Sequence, residues 1–458
     1  MRGLKHALIG LCLAAAALPA SAESLREAVQ AAITNNPTAR ANDANVRATA
    51  MEMLARERDF LPTVSAYAEA GAYYYNDAAR LAPAQNRRVS AAAEIGLRAE
   101  YVVFDGYRRA NEVYRDAARV DQAIFGALDA SETLALSVVE AYIDVLRHRQ
   151  LAALAYQNVA KHREFGTRVG ELVDAGRLPA SERFEVEQRI VAARLAAIQV
   201  DEAAANALAR YEALVGHGPK GPMSATWPGN GAQTEDAFVA RAVAASHRVK
   251  AADANVQAAY AAQDIVASDA LPQIRLQAGV GAGRNLGGVP GTQTDAFVGA
   301  RAEWEIWSGG RKPARSAAML RTAEALAERD AAVRDVRALA MTTWNAWSAN
   351  IERTVLFDRQ LAATRRTADQ YIDQFGAGTR TLLDVLDAER AWFNARFEDV
   401  SAESSYLFNQ YQMLAVESRL ADHFGVGAAR VALAPGFEAR ARRDGAFSVF
   451  DTTIPALE

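Results

Sequence analysis

Two carboxylates stand three residues apart in a segment whose residue types could do chemistry. Asp384 and Asp387 follow Arg380 and Gly378 in the sequence GTRTLLDVLD. On a helix the two acids share one face, where they could serve as catalysts, metal ligands, a solvated surface or part of a ring of charge. No nucleophile, glycine elbow or cofactor motif accompanies them, and the histidines stand singly. We therefore expect no catalytic residue, no cofactor and no metal site.

The N-terminal residues indicate the cellular compartment. Arg2 and Lys5 lead a short apolar run, and small residues at 20–22 complete the pattern of a secretory signal peptide at 1–22. The run is too short for an uncleaved membrane anchor. Cleavage would remove Cys12, the only cysteine, and would leave 49 of the 51 basic residues against 55 acidic ones, a net charge of −6. This excludes disulfides and thiolate sites, and it argues against a nucleic-acid partner.

The remaining chain contains an internal duplication. Four pairs of similar segments recur in order, at offsets of 202 to 210 residues. They are DANV at 43 and 253, LPTV and LPQI at 61 and 271, FDGYRR and WSGGRK at 104 and 307, and AG at 175 and 377. We therefore predict a first structural repeat at 23–215, a Gly/Pro-rich linker at 216–235, a second repeat at 236–430 and a C-terminal tail at 431–458.

Each repeat contains two segments in which apolar and polar side chains alternate, which predicts a β-hairpin. The segments lie at about 63–75, 89–104, 273–283 and 296–307. They suit either a soluble, half-buried sheet or the wall of a transmembrane barrel. Tyr73, Tyr74 and Tyr75 at one end, and Trp304 and Trp307 at the other, are typical of two interfacial girdles and favour the barrel. Four strands cannot close a barrel, so several chains would have to build it.

The rest of the chain predicts unusually long helices. Proline is absent from 107–178 and from 314–434, and roughly 70 helical residues would span on the order of 100 Å. Apolar residues recur every seven positions in a seam that is typical of a coiled coil. They are Leu386, Phe393, Val400, Leu407 and Leu414. Helices of this length fit a sheet or cylinder of helices better than a globular domain.

Together these features resemble the TolC-like family of outer-membrane efflux and type I secretion channels. The resemblance covers about 24–426, and GTRTLLDVLDA at 378–388 is its most specific motif. It implies a mainly α fold with a membrane β-barrel, in which three chains share twelve strands and a long α-helical coiled-coil tunnel. The barrel would lie in the outer membrane and the tunnel in the periplasm, with the tail equatorial or disordered.

The resemblance also implies roles for the carboxylates. Asp384 and Asp387 would line a constriction at the periplasmic end of the tunnel. Threefold symmetry would make them a ring that repels anions, attracts cations and has raised proton affinity. Arg380 would latch neighbouring hairpins by pairing with Ser181 and Glu182.

Three further residues belong to the same region. Gly176 and Gly378 are the expected turn glycines of the two helical hairpins. At position 375 the family's tyrosine is replaced by Phe375, which can pack but cannot donate a hydrogen bond. We therefore expect fewer bonds to hold the closed state.

The implied function is passive export of drugs, other small molecules or an unfolded protein. The implied partners are two further copies of the chain, a periplasmic membrane-fusion adaptor, an inner-membrane ABC or proton-driven pump, and outer-membrane lipid. The alternative is a periplasmic coiled-coil adaptor or structural protein whose strands form a soluble sheet. Dependence on detergent separates the two hypotheses, because only the barrel needs it.

Overall fold

The structure is a computed structural model, which describes residues 23–76, 88–229, 234–426 and 433–445. The predicted signal peptide and the end of the tail, 446–458, lie outside the described residues. The first repeat forms α1 (Leu25–Asn35), α2 (Pro37–Arg58), β1 (Thr63–Tyr75), β2 (Arg88–Phe104), α3 (Arg108–Asp174) and α4 (Ala180–Val215). The second repeat forms α5 (Glu235–Ala245), α6 (His247–Ser268), β3 (Gln273–Arg284), β4 (Thr292–Glu303), α7 (Arg311–Gly376) and α8 (Leu382–Val416). The short helices α9 (Leu420–His423) and α10 (Phe437–Asp444) follow. The predicted duplication of a helix–hairpin–helix unit is confirmed.

The four strands form one antiparallel sheet in the order β1–β2–β3–β4. Its register places the apolar residues on one face, since Leu97 lies opposite Val280 and Ala278 lies opposite Val298. These side chains meet solvent in a single chain, and Val298 is 86% exposed. The sheet therefore presents a continuous apolar surface on one side and a polar surface on the other.

Strand β4 lies about four residues earlier than the sequence predicted. Its last paired residue is Glu303, which lies opposite Gln273, the first residue of β3. Pro272 precedes Gln273 and has no backbone N–H, so the ladder ends there. Trp304 lies beyond the strand, where its indole N–H donates to the Ala270 carbonyl at 3.1 Å.

Glycines on the polar face make room for aromatic rings. A Cβ at Gly96 would stand 2.6 Å from the Tyr67 ring, and one at Gly279 would stand 2.4 Å from the Phe297 ring. The Tyr67 hydroxyl donates to the Glu94 carboxylate at 2.5 Å. The rings thus cover the flat stretches of strand that lack side chains.

Two helices have the predicted length. Helix α3 contains 67 residues and α7 contains 66, so each spans about 100 Å at 1.5 Å per residue. In the part of the chain that the structure describes, no helix is apolar enough over a sufficient length to cross a membrane.

The segment that joins the two repeats packs against both of them. The Tyr142 hydroxyl on α3 donates to the Glu23 carbonyl at 2.8 Å and accepts from the Ser224 N–H at 3.1 Å. The Tyr411 hydroxyl on α8 donates to the Thr226 carbonyl at 2.5 Å. The described part of the linker is therefore bound to both α3 and α8.

A buried carboxylate holds the start of α9. Glu132 on α3 accepts the N–H groups of Leu420 at 3.0 Å and Ala421 at 3.2 Å, and it is 6% exposed. The pKa of Glu132 is raised from 4.5 to about 7, chiefly by burial and to a smaller extent by the charges of Asp422 and Asp129, against the effect of the two N–H bonds. The folded chain therefore keeps the proton of this carboxyl to a higher pH than the unfolded chain does.

This raised pKa should make the folded state less stable as the pH rises. Between pH 4.5 and 7 the folded chain binds the proton that the unfolded chain has released, so the free energy of unfolding falls through this window. The fall amounts to at most about 3 kcal/mol. We expect Glu132→Gln to reduce the decrease in thermal midpoint between pH 5 and 8 in detergent. An identical decrease in the variant would contradict this assignment.

Candidate functional site

The two helical hairpins each have a turn of the same type at their ends. Gly176 and Gly378 adopt φ values of +71° and +75°, in the left-handed region that glycine reaches without strain. After each glycine, the next N–H bonds back to a helix carbonyl at 2.9 Å, from Arg177 to Leu172 and from Thr379 to Gln374. Each long helix therefore ends in a Schellman-type cap, and the next helix begins within a few residues.

The second hairpin has a further cap that the first lacks. The Thr381 hydroxyl accepts the Asp384 N–H at 3.2 Å, and the Asp384 carboxylate accepts the Thr381 N–H at 3.3 Å and its hydroxyl at 2.8 Å. This reciprocal pair is a capping box. At the equivalent place in the first repeat, Pro179 precedes α4 and makes no side-chain cap. Asp384 therefore fixes the start of α8.

The capping box affects the charge of Asp384. The hydrogen bonds from Thr381, and then the nearby charge of Arg380, lower the pKa of the Asp384 carboxyl. This direction is opposite to the raised proton affinity that we expected for a ring of acids. Within one chain, Asp384 is held as a carboxylate.

Arg380 lies against its own hairpin. Its Nε donates to the Gln374 side-chain oxygen at 2.9 Å, and its guanidinium stacks over the Tyr371 ring, 4.1 Å from the centroid. A guanidinium nitrogen also approaches Asp384 at 3.9 Å. Tyr371 supplies an aromatic contact one helical turn before Phe375.

Ser181 and Glu182 lie in the first turn of α4. Among the described residues of one chain, neither forms a hydrogen bond or an ion pair with Arg380. The predicted latch is therefore not closed inside a single chain, and it stays a prediction for neighbouring chains.

Asp387 makes a different contact, which connects the two hairpins. Its Oδ1 lies 3.2 Å from Nη2 of Arg189 on α4 and 3.5 Å from Nη2 of Arg390 on α8. Sequence reasoning missed Arg189, because 198 residues separate the partners and no local spacing indicates their contact. The Thr-x-x-Asp spacing of the capping box is visible in the sequence at 381–384, but we did not predict this role for Asp384.

An apolar cluster positions these groups. This hairpin-end cluster joins α3, α4 and α8 and consists of Phe165, Val169, Val186, Leu382, Val385 and Leu386. Phe375 and Ile190 pack against it. Phe375 thus acts as a packing residue, as its side chain allows, and Asp387 directly follows the fully buried Leu386.

In the described ranges, no group of three or more His, Cys, Asp or Glu side chains could hold a metal ion. The geometry at the hairpin ends supports charge and packing roles: two carboxylates per chain, each beside at least one guanidinium.

Comparison with known proteins identifies a matching family model and a relative of this chain. Residues 239–416 match the family model of the outer membrane efflux protein. The chain is 25% identical to the outer membrane efflux protein BepC of Brucella suis biovar 1 (strain 1330) over 423 residues, covering 90% of this chain and 89% of the relative.

Solved channels share the fold. The outer membrane protein VceC of Vibrio cholerae superposes with a TM-score of 0.74 at 14% identity, covering 88% of this chain and 96% of VceC. The open-state MtrE outer membrane channel of Neisseria gonorrhoeae gives a TM-score of 0.74 at 18% identity, covering 86% of this chain and 89% of MtrE. The predicted resemblance to the TolC-like family of outer-membrane efflux channels is confirmed.

Proposed function

We propose that three copies of this chain form the outer-membrane exit duct of a tripartite export system. The observation that carries the proposal is the sheet, which has one apolar face and leaves the outer edges of β1 and β4 unpaired among the described strands. In lipid every backbone polar group needs a partner, so open edges must be closed by further strands. Three copies supply twelve strands, which suffice for a barrel.

The rest of the duct follows from the helices. Helices α3 and α7 leave the same end of the sheet, directly after β2 and β4, and would continue the barrel as a periplasmic tunnel. The matching family model and BepC are described as efflux proteins, which favours small molecules as cargo. The sequence contains no nucleotide-binding motif, so a periplasmic adaptor and an inner-membrane pump would supply the energy. Residues 1–22 would direct export and be removed.

The hairpin ends would form the gate. In the trimer, Asp384 and Asp387 would surround the threefold axis at the periplasmic constriction. Arg380 would close the latch across the chain boundary, onto Ser181 and Glu182 of a neighbouring copy. The turn glycines Gly176 and Gly378 would let the hairpins end at the constriction.

Planar-bilayer recording tests the duct and its constriction together. We expect the wild-type protein to form channels of low conductance that favour cations. Asp384→Asn combined with Asp387→Asn should weaken this preference, because it removes two negative charges per chain. Unchanged selectivity would contradict the ring, and a mature protein that stays monodisperse without detergent would contradict the barrel.

A further inference from the structure

The ring residue Asp387 is shared between two guanidinium groups. Arg390 belongs to the same helix, one turn further on, whereas Arg189 reaches Asp387 from the other hairpin at 3.2 Å. The Arg189 side chain is 25% exposed and that of Asp387 is 45% exposed. The carboxylate that should give the constriction its charge is therefore partly neutralised from the first repeat.

The backbone around Arg189 is fixed by packing. Val186, three residues before it, is buried in the hairpin-end cluster, and Ile190, the next residue, packs against that cluster. Leu386, next to Asp387, belongs to the same cluster. Both members of the ion pair thus project from a shared apolar seam, which sets their separation.

Two other basic groups of the first hairpin make contacts away from Asp387. His162 on α3 is 6% exposed, and burial and the charge of Arg189 lower its pKa. Lys161 pairs with Glu164 at 3.3 Å and lies over the Phe165 ring. Arg189 is the group of the first repeat that the structure places in an ion pair with Asp387.

We propose that Arg189 is a specificity-determining residue of the channel, which sets the net charge that permeating ions meet at the constriction. The proposal rests on the duct function above. Three guanidiniums lie 3.2, 3.5 and 3.9 Å from the two carboxylates of each chain, so the acids alone do not define the field. Loss of Arg189 would leave Asp387 with Arg390 alone and would make the constriction more negative by one charge per chain, or three per trimer.

The test compares reversal potentials of reconstituted trimers in a tenfold KCl gradient. We expect Arg189→Gln to raise the cation-to-anion permeability ratio about twofold or more, since a constriction with three more negative charges per trimer concentrates cations. Arg189→Lys keeps the charge and should retain the wild-type ratio. Arg183→Gln is the matched control, because Arg183 pairs at 2.5 Å with Asp174 within its own hairpin, and it should leave the ratio unchanged.

Each outcome separates the two proposals. If the wild-type protein forms channels but Arg189→Gln has the same cation-to-anion permeability ratio, the role of Arg189 is overturned. The proposed duct function is not affected by this result. An equal shift in Arg183→Gln would also overturn it, because any charge near the hairpin ends would then suffice. Absence of channels in the wild-type protein would contradict the duct, and the inference with it. Native mass determination of each variant as a trimer distinguishes a change of selectivity from a failure to assemble.

Discussion

Replacing Val298 with lysine is expected to prevent assembly into the outer membrane, whereas the same replacement at Gly299 should be tolerated. Val298 lies in the middle of β4 on the apolar face, opposite Ala278, and is 86% exposed in a single chain. If this face meets lipid, a lysine there costs about 2–4 kcal/mol near the bilayer midplane. The cost would be incurred three times in a trimer, which makes it large compared with the stability of a typical fold.

Gly299 provides a matched control one residue away. Its backbone lies opposite Gln277 on the polar face, and a Cβ there would meet open space. A lysine at this position would therefore project into a polar lumen without a steric clash. Outer-membrane fractionation followed by semi-native electrophoresis measures the folded trimer directly. Equal trimer yields for the two variants would contradict the assignment of the apolar face to lipid.

The sheet was predictable because its pattern is local. Side chains of a strand alternate with a period of two whatever the strand pairs with, so the apolar faces of all four strands could be read before any partner was known. The register then brings Leu97 opposite Val280 on the predicted face. The bounds of β4 were predicted less well, because the end of a strand depends on where its neighbour offers backbone partners.

At the hairpin ends, some features could be predicted from the local sequence and others could not. Gly176 and Gly378 were readable because a helix end requires a local backbone conformation that glycine adopts easily. The pair of Arg189 and Asp387 depends on how α4 and α8 pack, and nothing in either helix alone specifies it. The positions of the helices could thus be inferred from the sequence, whereas the charge balance at the hairpin ends required the tertiary structure.

Replacing Asp121 with alanine is expected to release α10 from the helical body. Asp121 is 7% exposed, and its carboxylate accepts the N–H groups of Gly436 at 2.6 Å, Phe437 at 2.9 Å and Glu438 at 3.0 Å. It therefore caps α10 from 315 residues away along the chain, with its charge at the positive end of the helix dipole. The predicted tail is held against α3 here by both polar and apolar contacts, since Phe437 and Ala441 are buried beside Val113 and Val120.

Loss of the carboxylate would leave three backbone donors without their acceptor, at about 1–3 kcal/mol for each that stays buried. A loss of about 3 kcal/mol corresponds to on the order of a hundredfold faster amide exchange in α10, which hydrogen-exchange mass spectrometry can measure. Asp121→Asn keeps one oxygen for two of the donors and should have an intermediate effect.

Asp116→Ala is the control, because this buried carboxylate on the same helix pairs with the guanidiniums of Arg56, Arg115 and Arg119 instead. It should leave exchange in α10 unchanged. If α10 exchanged as slowly in Asp121→Ala as in the wild type, the apolar contacts of Phe437 and Ala441 alone would hold the helix, and the long-range cap would contribute nothing measurable.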